Sequence, residues 1–138
     1  MADQTRSGKL KRLVNVQRHL EHMAENELAT TTRARAEVAE DIDAVVEAIG
    51  SVNSIHQLFA SLYSAQISRL TAKDQHLQNV QKAQEQKILR EKAKGDRLES
   101  KAKVARDLED AEAQEKSLQE ILEIRMALSA SDHEPDPS

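Results

Sequence analysis

No proline interrupts the first 134 residues of this chain: Pro135 and Pro137 are the only two, and both lie in the last four positions of 138. Proline locks φ and removes an amide donor, so its absence leaves a continuous helix permitted almost end to end. The chain also has one Phe (Phe59), one Tyr (Tyr63), no Trp and three Gly. A globular core of this size normally draws much of its buried area from aromatic rings. Here Leu, Val, Ile and Ala must supply it, set among Lys, Glu, Arg and Gln in a chain that is 32% charged. That composition predicts an all-α fold, a long antiparallel two-helix coiled-coil hairpin in one domain.

Composition also narrows the chemistry. A net charge of −4 does not argue for nucleic acid. The lack of cysteine excludes disulfides and thiolate metal sites, and fits a reducing compartment. Met1 to Lys11 is polar and basic, without the apolar core of a secretory leader. Apolar runs of three or four fall far short of the ~20 residues that span a bilayer. The expectation is a soluble, cytoplasmic protein.

The first helix is expected over about 7–49, capped by the Ser7 hydroxyl ahead of Leu10. Its apolar positions are Leu10, Leu13, Val16, Leu20, Ala24 and Leu28, then Val38, Ile42, Val45 and Ile49, the last four in the 4-3-4 spacing of a coiled-coil seam. Gly50 to Ser54 is the one cluster of breakers in the body, with Ser54 and Gln57 forming a capping box. A rival turn at Thr71 to Asp74 is less favoured, because Gly costs about 1 kcal/mol in a helix interior and Thr or Lys less. The second helix is expected over about 55–128, and the acidic tail 129–138 is expected to be disordered. Folding about residue 52 sets Ala24 against Val80, Leu28 against Leu77, Val45 against Phe59 and Ile49 against Ile55. On that register the second helix outlasts the first from Leu98 onward.

Charge is segregated. Arg69 to Arg106 holds eleven Lys or Arg against five acids, whereas Glu21 to Glu47 and everything from Asp107 onward are acidic. The basic band lacks the aromatic platforms of single-strand binders, so it is read as a solvated face or a patch for an acidic protein. His19 and His22 share a helix face, but no third ligand joins them, and His56 and His76 stand singly; the expectation is no metal and no cofactor. No phosphate loop, nucleophile elbow or zinc motif is present, so no catalytic residue is assigned and no enzyme activity is expected. Phe59, Leu62, Tyr63, Gln66 and Leu70 form the remaining group of interest, with Tyr63, Gln66 and Leu70 expected on one exposed flank.

These residues carry a resemblance. Leu10-Lys-Arg-Leu13 opens the chain in a basic context and continues into Glu21 to Leu28. Phe59-Ala-Ser-Leu-Tyr63-Ser-Ala-Gln66-Ile-Ser-Arg-Leu70 follows the breaker. A basic stretch, Arg90 to Leu98, then runs into an acidic, heptad-like end. Over nearly its whole length the chain resembles the FliJ family of flagellar type III export, and the YscO-type proteins of injectisomes. The resemblance implies a non-enzymatic stalk that enters the ring of a FliI-type export ATPase, links it to a FlhA-type export gate and handles export chaperones, with only peripheral membrane association through those partners. By analogy, the ATPase-ring contacts would be Leu10, Lys11, Arg12, Leu13 and Arg18 with Leu118, Leu122 and Arg125. The gate contacts would be Phe59, Tyr63, Gln66 and Leu70, although the family carries a smaller residue where Gln66 stands and a His where Leu70 stands. The alternatives are a self-associating coiled-coil scaffold and a helical holdase chaperone, neither tied to secretion.

Overall fold

The structure, a computed structural model, describes residues 5–50, 55 and 58–132. They form two helices, α1 (Arg6–Gly50) and α2 (Ala60–Asp132). Of the expected turn at 50–54, Gly50 is the last residue of α1, while 51–54, the capping box at Ser54 and Gln57, and residues 133–138 of the tail lie outside the described residues. Residues 129–132, expected in the tail, belong to α2. The rival turn at 71–74 is excluded, since those residues are helical and Asp74 binds Arg35 of α1.

The cap of α1 is Thr5 rather than Ser7. The Thr5 hydroxyl accepts from the Gly8 amide at 3.0 Å, and its carbonyl accepts from the Lys9 amide at 3.0 Å. Ser7 is freed for the other helix: its amide donates to Glu109 Oε1 at 3.0 Å and its hydroxyl donates to Glu109 Oε2. A first-turn donor is thus satisfied by α2.

The chain divides into two units, residues 15–95 and residues 1–14 with 96–138. Within 15–95, the buried and half-buried positions of α1 include Gln17, Glu21, Ala24, Leu28, Thr31, Arg35, Val38, Ile42, Val45 and Ile49, which alternate by four and three, with Arg18, Ala34 and Ala48 half-buried beside them. In α2 the same alternation runs through Tyr63, Ile67, Leu70, Asp74, Leu77, Gln81, Gln84, Ile88, Glu91 and Gly95, with Ala60, Gln78, Val80 and Ala93 half-buried beside it. Two such stripes pairing antiparallel make a coiled coil. In the other unit, Leu10 and Val14 of α1 accompany Leu98, Ala102, Ala105 and Glu109 of α2.

Polar residues occupy many seam positions, and they set the register. Arg35 donates from Nε to Asp74 Oδ1 at 3.0 Å and from Nη1 to Gln81 Oε1 at 3.0 Å. Gln17 donates to the Glu91 carbonyl at 3.1 Å and to its carboxylate. Lys87 meets Glu27 at 3.6 Å and Lys92 meets Glu25 at 3.5 Å. The register expected from the apolar residues alone is therefore wrong by roughly two to three helical turns. It would have set Arg35 beside Arg69 and Gln17 beside Lys87, whereas the observed one gives each a partner of matching chemistry.

The slip also overturns the assignment of Leu13, Val16 and Leu20 to the seam. They are 52%, 59% and 44% exposed, while Val14, Gln17 and Glu21 are buried. Pairing reaches Glu109 rather than ending near Leu98, and residues 110–131 are all exposed.

Gly95 is a mid-helix glycine with a packing reason. A Cβ there would meet the Glu21 carboxylate and lie 2.7 Å from Arg18 Nη1. The Arg18–Glu21 pair, 2.8 Å apart, lies over the bare glycine, so a side chain at 95 would push the tips of both residues aside.

Candidate functional site

The unit built from residues 1–14 and 96–138 holds most of the candidate ring contacts. Leu10 is half-buried, whereas Lys11, Arg12 and Leu13 are exposed. Leu118, Leu122 and Arg125 are exposed on the stretch of α2 that runs beyond Glu109. Arg18, in the 15–95 unit, is committed elsewhere: Nη1 donates to both carboxylate oxygens of Glu21, at 2.8 and 3.1 Å, and Glu21 is buried. It is a structural residue of that unit before it is a docking one.

The gate candidates are split by the heptad. Tyr63 and Leu70 are half-buried with Ile67 on the α2 seam stripe, so they do not share an exposed flank with Gln66. Gln66, Leu62 and Phe59 are exposed. An outward surface here is formed by Phe59, Leu62 and Gln66.

The charge bands are explained in part by internal pairing. The acidic stretch of α1 lies against the basic band of α2, as the Glu27–Lys87 and Glu25–Lys92 pairs show. These side chains are about half exposed, so each pair adds only a few tenths of a kcal/mol, while the set opposes wrong registers.

Three charged seam groups respond to their partners. The hydrogen bond from Gln17 holds the Glu91 carboxyl below its ordinary range. Those from the Ser7 hydroxyl and amide do the same for Glu109. The Arg35 guanidinium is raised above its usual value, first by its hydrogen bond to Asp74. All three keep the charged forms that the register uses.

A shallow apolar groove of about 260 Å³ opens on the same unit as the ring candidates. It is lined by Val104, Ala105 and Leu108, with Ser100, Lys101 and Arg6 around them. By hydropathy alone, Leu98, Ala102, Ala105, Leu108, Ala111, Leu118 and Leu122 read as one apolar series along the end of α2. In the structure the series has two phases. Leu98, Ala102 and Ala105 turn inward, whereas Val104, Leu108, Leu118 and Leu122 are about 60% exposed. Separating the series into its 4-3 progressions is the signal that distinguishes them.

His19, His22 and His76 are exposed, and His56 lies outside the described residues. Among the described residues no three His, Cys, Asp or Glu side chains gather as a metal site. No helix among them is long and apolar enough to cross a membrane. The chain matches no family model, no curated protein and no solved structure.

Proposed function

We infer that the protein is a non-enzymatic coupling component of a type III export apparatus, with the start of α1 and the end of α2 meeting the export ATPase. The observation that carries this reading is the composition of that end. Lys11, Arg12 and Leu13 on α1, and Leu118, Leu122 and Arg125 on α2, all stay exposed within one unit. Exposed leucines rimmed by cations suit a partner surface that is apolar at its centre and acidic at its edge. A coiled coil suits the task because its pairing is satisfied internally, leaving weak outward contacts to bias successive ATPase subunits through their states. Phe59, Leu62 and Gln66 offer a separate surface for the export gate, and the export chaperones remain its further partners in this reading.

The deciding experiment adds this protein to a purified FliI-type ATPase from the same source. Hexamer formation and ATP turnover are expected to rise. The variant Lys11→Glu with Arg125→Glu is expected to lose most of that stimulation while its helicity stays unchanged. Turnover and assembly indifferent to the protein would remove the export reading and leave the scaffold or holdase alternatives.

A further inference from the structure

We propose that the stretch 104–122 of α2 is a homodimer interface, on which two copies of this chain pair antiparallel about an axis near Ala113. The proposal begins with phase. Val104, Leu108, Ala111, Glu115, Leu118 and Leu122 are spaced 4-3-4-3-4, a second heptad stripe on the helix that carries the seam. At 100° per residue it is turned roughly 120° from Leu98, Ala102, Ala105 and Glu109, which face α1. Apolar side chains that continued the seam would signal an unfinished hairpin. These point elsewhere, so they call for a different partner.

The stripe is its own mirror in sequence. Read antiparallel about residue 113, Val104 meets Leu122 of the second copy, Leu108 meets Leu118 and Ala111 meets Glu115, each pair occurring twice. Complementary positions thus fall into the layers that an antiparallel coiled coil requires. The structure supplies the receiving shape, since Val104 and Leu108 line the apolar groove. Leu118 and Leu122 of the second copy are the side chains that reach it.

Charge selects the same arrangement. The antiparallel alignment sets Glu115, at the centre of the stripe, against Ala111 of the second copy rather than against a like charge. A parallel, in-register pair would instead set Glu115 on Glu115 and Lys101 on Lys101. Two kinds of like-charge contact are built into the antiparallel form: Glu112 beside the axis faces its own counterpart, and Lys101 meets Arg125 of the second copy, which keeps the pairing weak. Covering the four large side chains of each copy, with the stems between them, removes on the order of 1,000 Å² from water, at the lower limit for a specific interface. That size fits a reversible dimer of micromolar affinity.

The inference stands without the export reading, and its test uses only this chain. Should both hold, a second copy and the ATPase would compete for Leu118 and Leu122. Sedimentation equilibrium of the full chain is expected to show a monomer–dimer equilibrium in the micromolar range. Leu108→Glu should abolish the dimer and Glu112→Gln should tighten it, and neither exposed position is needed for α1–α2 pairing. Orientation is read by cross-linking, which the lack of native cysteine makes clean. Gln114→Cys lies beside the axis and should oxidise readily to a disulfide-linked dimer. Leu122→Cys alone should not, because its two copies lie roughly 27 Å apart along the axis. A mixture of Val104→Cys and Leu122→Cys chains should form the mixed dimer. A protein monomeric into the high micromolar range, or one whose Leu122→Cys chains cross-link as fast as Gln114→Cys chains, overturns the proposal.

Discussion

Val38→Asp is expected to unfold the 15–95 unit at ambient temperature, or to lower its melting point so far that little cooperative transition remains. Among the described residues Val38 is the largest side chain that is fully buried, at 2% exposure. A carboxylate there loses its hydration and gains no donor, which costs at least about 3 kcal/mol. The site makes this worse. Arg35, one turn away, is already held by Asp74 and Gln81, so a second carboxylate must compete for the same guanidinium. A pairing of two helices has few layers over which to spread such a loss. Val38→Leu is the control. It keeps the residue apolar while adding one methylene, which should cost about 1–3 kcal/mol and leave a cooperative transition. Urea unfolding followed by far-ultraviolet circular dichroism separates the two, and similar midpoints for both would show that Val38 is not the centre of the packing.

Arg18→Glu is the second large effect. Removing one partner of a buried ion pair leaves an uncompensated charge, which costs about 3–5 kcal/mol when both groups are sealed from water. Arg18 is 34% exposed while the Glu21 side chain is 9% exposed. Solvent screening at the arginine lowers the expected loss to roughly 2–4 kcal/mol. The new carboxylate would also press against Glu21 over Gly95, where no side chain separates the helices. The exchanged pair, Arg18→Glu with Glu21→Arg, should recover part of the stability. A loss below about 0.5 kcal/mol would mark the pair as an ordinary surface bridge. In consequence, weakened ATPase coupling in an Arg18 variant would report altered folding first, and Lys11 with Arg125 are the positions at which docking is tested.

The fold class was legible because proline, glycine and aromatic residues are so unevenly placed that long helices were the one consistent solution. The register was not legible, for a physical reason. Matching Leu28 to Leu77 and Ala24 to Val80 maximised apolar overlap, but many seam positions are Gln17, Glu21, Thr31, Arg35, Asp74, Gln81, Gln84 and Glu91. In a narrow two-helix seam, shifting an apolar layer onto another apolar layer changes little. Stranding Arg35 or Gln17 against a like or unmatched group costs much more. The polar residues therefore choose the register, as single polar seam positions do in other coiled coils. The sequence did carry the cue: stepping back in sevens from Val38, Ile42, Val45 and Ile49 lands on Val14, Gln17, Glu21, Ala24, Leu28, Thr31 and Arg35.

The same filter affected the candidate surfaces. Leu13, Val16 and Leu20 were drawn into the seam because they are apolar, and the structure leaves them exposed. Tyr63 and Leu70 stand close to Gln66 in sequence, but the heptad turns them inward. Lys11, Arg12, Leu118, Leu122 and Arg125 are exposed.

Disulfide trapping within the chain tests the antiparallel register most directly. Two double variants are made: Ala24→Cys with Ile88→Cys, which pairs two buried seam positions, and Ala24→Cys with Val80→Cys, which the apolar-only alignment would favour. The account predicts rapid intramolecular oxidation of the first and little of the second, whose cysteines lie roughly 12 Å out of step along the helix, beyond disulfide reach. Faster closure of the 24–80 pair would contradict it.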